Sequence, residues 1–381
     1  MQIEQGNKFQ TEADQFSGDT KAIMLITHTE PVNGTITASM KNTEKSNTLL
    51  IPDNILVTGG AGYIGSIVVE QLANAGKKVV VIDNLSNGHR EAIIHPNVEM
   101  IMADISDKEL LKKIMIEKGT EAVMHFAAFI EAGESMKKPE KYFRNNTAGS
   151  LSLLEAMKET DVSTIVFSST AAVYGNPQLT PITEDMPLMP INVYGESKLM
   201  VERLLSWFNE IYGLKYAALR YFNACGATEK LGERHQPETH LIPLAIEAVL
   251  GQRPKLFLYG TDYPTHDGTC IRDYIHVSDL ASAHLLALEK LNQSNGRLIY
   301  NLGNQTGFSN REVIDAVSNI VGKKVPIEET ERRPGDPPIL IASSEKIKKE
   351  LGWKPAYTSL EDIIQSAYLW RINHPHGYTS E

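Results

Sequence analysis

Residues 54–65 read Asn-Ile-Leu-Val-Thr-Gly-Gly-Ala-Gly-Tyr-Ile-Gly, an apolar run that turns through glycines straight into a helix-forming stretch. Such a sequence opens a βαβ unit. Gly59, Gly62 and Gly65 allow a tight turn and a close approach of helix to strand, and the uncovered helix start offers N–H groups and a partial positive charge to a phosphate. Tyr63 and Ile64 complete the turn. The next apolar run, 78–83, ends on Asp83, eighteen residues after Gly65. A carboxylate there accepts hydrogen bonds from an adenine ribose and repels a 2′-phosphate, and Arg90 is the only arginine within several residues. The pattern indicates NAD rather than NADP.

Beyond this turn, short β-branched runs at 55–58, 78–83, 98–103, 122–126, 164–169 and 216–220 alternate with helical stretches at 63–75, 108–118, 142–159 and 194–212. That alternation predicts an α/β fold, a Rossmann-type doubly wound parallel sheet whose apolar strands are buried on both faces. After about Cys225 the alternation loosens and Pro and Gly become frequent. The expected organisation is an NAD-binding domain over 51–225 and a smaller C-terminal α/β substrate-binding region over 226–381. Within the latter, about 273–304 is expected to return to the first domain, through a helix at 279–291 and a strand at 298–302.

With 381 residues, 42% hydrophobic and 22% charged, the chain has the composition of a globular protein. Its net charge of −10 argues against nonspecific nucleic-acid binding, so no nucleic-acid partner is expected. Residues 1–50 are polar, their longest apolar run being 22–26, and are expected to form a poorly ordered extension with neither signal peptide nor membrane span. Cys225 and Cys270 give no disulfide framework and no zinc-ligand spacing, and no metal site is read from the sequence. They read as free thiols in a reducing compartment, and the cytoplasm is the expected location.

The chemistry centres on Tyr194 and Lys198, which stand at i and i+4 on the last predicted helix and so share a face. An ammonium beside a phenol favours the phenolate, so the pair reads as a general base with a depressed pKa. Thr170, at the end of the 164–169 run, is placed to hydrogen-bond a substrate oxygen and relay its proton to Tyr194. Ser168 reads as a capping hydroxyl. Phe126, Ala127 and Ala128 follow one strand and Asp104 another, at the sheet edge where open α/β folds bind ligands.

Taken with Asp-Asn-Leu-Ser-Asn-Gly at 83–88, Phe-Ser-Ser-Thr-Ala-Ala-Val-Tyr-Gly at 167–175 and Tyr-Gly-Glu-Ser-Lys at 194–198, these segments resemble the extended short-chain dehydrogenase/reductases. Arg-Tyr-Phe-Asn at 220–223, Gly-Thr-Cys-Ile-Arg-Asp-Tyr-Ile-His-Val at 268–277 and Arg-Arg-Pro-Gly-Asp at 332–336 narrow the resemblance to the branch that epimerises UDP-hexoses at carbon 4. The resemblance implies a redox cycle without net oxidation on tightly bound NAD. Tyr194 would be the base, Thr170 its assistant, and Lys198 the holder of the cofactor ribose. It adds Asn84, Asn87, Asp104, Ile105, Asn145 and Phe222 as cofactor contacts. For the UDP-hexose it implies Asn223, His240, Arg272 and Arg333 near the diphosphate, Asp336 at a ribose, and Phe257 to Tyr259 along the uracil. A homodimer built on the helices at 142–159 and 194–212 is also implied.

The chain departs from the family pattern at several positions. Ile130 stands where several members carry a Lys, His240 where some have an Asn, and Leu340 where members restricted to glucose and galactose have a bulky Tyr. Ala171 and Ala172 replace the acidic residues a 4,6-dehydratase needs after Thr170. Epimerases of N-acetylated, uronate or pentose UDP-sugars, and a noncatalytic NAD-binding regulator, remain alternatives.

Overall fold

The computed structural model describes residues 50–294, 296–333 and 336–378. The expectation of a disordered extension over residues 1–50 therefore falls, but for its last residue, outside the described residues. Residues 48–381 form one compact unit. Its first half alternates strand and helix in the order β1 (Asn54–Thr58), α1 (Tyr63–Asn74), β2 (Lys78–Asp83), β3 (Glu99–Met102), α2 (Lys108–Lys118) and β4 (Ala122–His125). Two short helices, α3 (Ala132–Ser135) and α4 (Pro139–Tyr142), lead through a π-helical turn (Phe143–Ala148) into α5 (Gly149–Glu159), β5 (Thr164–Thr170), α6 (Val193–Tyr212) and β6 (Lys215–Tyr221). The second half holds β7 (Asn223–Cys225), α7 (Leu241–Val249), β8 (Leu256–Tyr259), β9 (Ile271–His276), α8 (Val277–Gln293) and β10 (Arg297–Leu302). It ends with β11 (Gly307–Ser309), α9 (Asn310–Val321), β12 (Ile327–Thr330), β13 (Ile339–Leu340), α10 (Glu345–Leu351) and α11 (Leu360–Asn373).

Seven strands form one all-parallel sheet in the order β10-β6-β5-β4-β1-β2-β3. This is the expected doubly wound Rossmann-type sheet. Strand periodicity distributes its side chains to two cores. Ile55 and Val57 of β1 pack with α1 and α8 on one face, while Leu56 between them packs with Leu111, Leu153 and Val201 on the other. Both faces are covered, so the strands are apolar throughout.

A separate core joins Ile242, Ile246, Leu256, Leu258, Val313, Val317 and Ile363 from α7, β8, α9 and α11. Around it lie the pair β8–β12 and a small sheet of β7, β9, β11 and β13. Between these regions, α8 and β10 return to the main sheet, β10 pairing with β6 from Arg297↔Tyr216 to Leu302↔Tyr221. The single helix expected over 142–159 is instead α4, the π turn and α5 in succession.

Among the described residues no helix is long and apolar enough to cross a membrane.

Candidate active site

The cleft opens at the C-terminal ends of β1, β2, β4, β5 and β6, where the crevice of a doubly wound sheet lies. Its empty space is about 1400 Å³, including the open mouth.

One wall is the glycine turn. Gly59 has φ +71°, a conformation side chains rarely adopt, and a Cβ added there would stand 2.4 Å from the Ala127 nitrogen. A Cβ on Gly65 would stand 2.2 Å from the Gly59 oxygen. Strand, turn and helix can close together only because both positions are bare. Gly62 caps α1 without a side-chain bond, so the N–H groups of its first turn face the cleft. At the end of β2, Asp83 accepts from Ala61 N at 3.0 Å and Leu85 N at 2.8 Å. Burial raises its pKa, and those two backbone bonds oppose the shift. Bare glycines, an uncapped helix start and a fixed carboxylate one strand away suit a dinucleotide: pyrophosphate at α1, adenine ribose at Asp83.

The second wall is α6. Asn192 caps it, accepting from Gly195 N at 2.8 Å, so Tyr194 falls in the first turn and Lys198 one turn on. Lys198 is buried at 3% exposure, and its Nζ donates to Ser168 O at 2.8 Å and lies 5.0 Å above the Phe167 ring. Burial pulls its pKa down to about 7. Tyr194 is half-buried beside Thr170. The expected depression of the phenol pKa by Lys198 is not found. Desolvation by the cleft walls pushes Tyr194 up to about 12, a hydrogen bond with Thr170 works against this, and the Glu131 carboxylate adds to it. The reason is geometric: the lysine hydrogen-bonds the β5 backbone, not the phenol. Ser168, read as a cap, lines the cleft beside Tyr221, to whose hydroxyl its Oγ is hydrogen-bonded.

The cleft gathers Gly59, Gly62, Tyr63, Ile64, Gly65, Asp83, Asn84, Asn87, Ile105, Phe126, Ala127, Ala128, Asn145 and Phe222 with Thr170, Tyr194 and Lys198. Asn223 and His240 line it too, as does Ile130. Asp104 does not. It holds the turn into α2, accepting from Ser106 N at 2.9 Å, Ser106 Oγ at 2.6 Å and Asn84 Nδ2 at 2.8 Å.

Phe257, Tyr259, Arg272, Arg333 and Asp336 also lie outside the cleft lining, on or near β8 and β9. They meet each other instead. The Arg333 guanidinium stacks 3.9 Å from the Tyr259 ring centroid, Arg272 Nη2 lies 3.8 Å from Asp336 Oδ1, and Asp336 N donates to Arg333 O at 3.3 Å. Asn223 links the two groups, since its Nδ2 donates to Asp273 O on β9 at 2.8 Å.

Glu233 and His235 line the cleft without having been singled out in the sequence, although the spacing Glu-x-His-x-x-Glu-x-His over 233–240 was there to read. With Glu238 and His240 they form a cluster whose ligand-type atoms lie within 4.8 Å of one another. The four side chains satisfy each other. His240 Nδ1 lies 2.8 Å from both Glu233 Oε1 and Glu238 Oε1, and His235 Nδ1 lies 3.1 Å from Glu233 Oε1. Burial alone would lower the His240 pKa, but the Glu233 charge outweighs it and raises that pKa well above the ordinary value. Burial likewise opposes, and the two histidines impose, the fall of Glu233 to about 2.

Comparison with known proteins agrees with this geometry. Residues 55–303 match the NAD dependent epimerase/dehydratase family. A UDP-glucose 4-epimerase of Streptococcus mutans is 51% identical over 328 residues, covering 85% of this chain and 98% of that protein. Among solved structures, UDP-glucose 4-epimerase from Brucella ovis in complex with NAD superposes with a TM-score of 0.81 at 46% identity, covering 83% of this chain and 98% of that one. The Bifidobacterium longum UDP-glucose 4-epimerase, in complex with NAD+ and UDP, gives 0.81 at 37% identity, with 85% and 99% covered. A glycine cradle, a ribose-binding carboxylate and a Tyr/Lys helix in one cleft, shared with relatives over most of the chain, place this protein in the NAD dependent epimerase/dehydratase family.

Proposed function

We propose that this chain interconverts UDP-glucose and UDP-galactose at carbon 4. The observation that carries the reading is the convergence of Thr170, Tyr194 and Lys198 in the cleft that also holds the glycine turn and Asp83. Bound NAD supplies reversible oxidation of the sugar carbon. Tyr194 takes the proton of the 4-hydroxyl and returns it when the opposite epimer forms, and Thr170 hydrogen-bonds the same oxygen. Lys198 holds the nicotinamide ribose and keeps positive charge at the base of the phenol. With a phenol pKa of about 12 set by the protein walls, Tyr194 needs that charge to lose its proton near neutrality.

The UDP end would lie toward Asn223, His240, Arg272 and Arg333. Arginine forks suit the diphosphate oxygens, Asp336 a ribose hydroxyl, and the Phe257–Tyr259 segment the uracil. Asn223 supports this path because it touches both the cleft and β9.

A homodimer is the assembly we favour. The exposed Trp207, Ile211 and Tyr212 form an apolar patch at the end of α6, and α5 packs beside that helix. The buried free thiols Cys225 and Cys270 suit a reducing, cytoplasmic setting.

Purified protein is tested with UDP-glucose, UDP-galactose, their N-acetyl forms, UDP-xylose and UDP-glucuronate, the epimers being separated by chromatography. Interconversion of glucose and galactose forms is expected. Turnover of the uronate alone would replace the substrate assignment, and no turnover of any would leave the noncatalytic reading.

A further inference from the structure

Under the cleft floor lies an ion pair to which the reaction as described gives no part. Glu202 follows Lys198 by four residues and Tyr194 by eight, on the same face of α6. Arg220 of β6 grips its carboxylate with both arms, Nε at 3.0 Å from Oε1 and Nη2 at 2.6 Å from Oε2. The two residues are 6% and 2% exposed. Ser169, between Ser168 and Thr170 on β5, donates to Glu202 Oε1 at 2.5 Å. Arg220 Nη1 donates to Tyr174 OH at 2.9 Å, Tyr174 OH to Asn301 Oδ1 at 2.7 Å, and Asn301 Nδ2 to Ile182 O at 2.9 Å. One polar chain thus runs from α6 through β5 and β6 to β10.

Stability is a poor reason for such a chain. Desolvating two charges offsets most of their attraction, and apolar side chains of the same volume commonly serve a fold as well. A bidentate Arg–carboxylate pair does supply fixed length and direction. Here it clamps the helix bearing Tyr194 and Lys198 to the two strands bearing Thr170, Ser168 and Tyr221. Displacing a reacting group by about 1 Å can cost on the order of a hundredfold in rate, so the register of α6 against β5 bears directly on proton transfer.

We propose that Glu202 and Arg220 are positioning residues for the proton transfer, setting how far Tyr194 and Lys198 reach toward Thr170 and Ser168. The inference rests on the assignment of Tyr194 as the base. Wild-type turnover, measured first, tests that assignment separately from the pair.

The test compares Glu202→Asp and the double variant Glu202→Met/Arg220→Met with wild type, each as holoenzyme, by kcat, KM for the UDP-sugar and thermal melting. The aspartate keeps the charges but shortens the reach, and the double variant removes both charges while filling the space. Both are expected to lose at least tenfold in kcat, with KM within about twofold and kcat falling further than the folded fraction accounts for. Should the double variant keep wild-type kcat, or should kcat in both track only the folded fraction, the pair is a structural brace and the inference is wrong. If neither variant folds, Ser169→Ala, which removes one tie to Glu202 and neither charge, must show the same kcat-specific loss or the proposal falls.

Discussion

Replacing Lys198 by methionine should make the fold more stable while it stops turnover. Folding takes this ammonium from water into a site 3% exposed, and burial alone lowers its pKa from 10.5 to about 7. Between those two values the unfolded chain binds a proton that the native chain does not, so stability rises with pH across that window. At about 1.36 kcal/mol per unit, the charge costs the fold roughly 4 kcal/mol at pH 7. The hydrogen bond to Ser168 O returns about 1 kcal/mol. Methionine has a similar length and no charge, leaving a net gain of ~3 kcal/mol. Urea unfolding of cofactor-stripped wild type and Lys198→Met at pH 7 and pH 9 measures both quantities. Wild type should gain about 2 kcal/mol between those pH values from this group, and the variant should lack that increment. A variant less stable than wild type at pH 7, or one with the same pH slope, would refute the argument.

Tyr194→Phe should lower kcat by about 10²- to 10⁴-fold with KM little changed in steady-state assays, and full activity would remove the phenol from the mechanism. Gly59→Ala should weaken NAD binding at least ~10-fold in a fluorescence titration and lower the melting temperature, because its Cβ must enter a left-handed conformation against Ala127. His125 stays neutral between Thr58 Oγ1 at 2.6 Å and Ser150 Oγ at 2.7 Å, its pKa lowered to about 3 by burial first and by Lys198 second. The unfolded histidine takes a proton below about pH 6.5, so stability is lost as the pH falls from there. His125→Gln should therefore lose ~2 kcal/mol less than wild type between pH 7 and pH 5 in urea titrations.

The main sheet was legible because its information is local. β1, β2 and β4 to β6 announce themselves as apolar runs, and the glycine turn and Asp83 sit within thirty residues of each other. Tyr194 and Lys198 share a helix face by spacing alone. Three features were not legible. The meeting of Tyr259 with Arg333 depends on the pairing of β8 with β12, a long-range choice that periodicity does not encode. The Glu202–Arg220 pair arises only when α6 is laid across β6. The upward shift of the phenol depends on where the lysine's hydrogen bond goes, and four-residue spacing says nothing of that.

The π turn at Phe143–Ala148 gives two neighbouring asparagines different duties. Asn145 lines the cleft, whereas Asn146 is sealed beneath it, donating to Phe129 O and Ser197 Oγ and accepting from Phe129 N. The wider loop of backbone holds one residue more than a regular helical turn would. Excising a single residue there would rewind the segment and rotate everything after it by about 100°. Leu153, Leu154 and Met157 would swing off the sheet into water, so an error in one codon's length would unseat α5 as a whole.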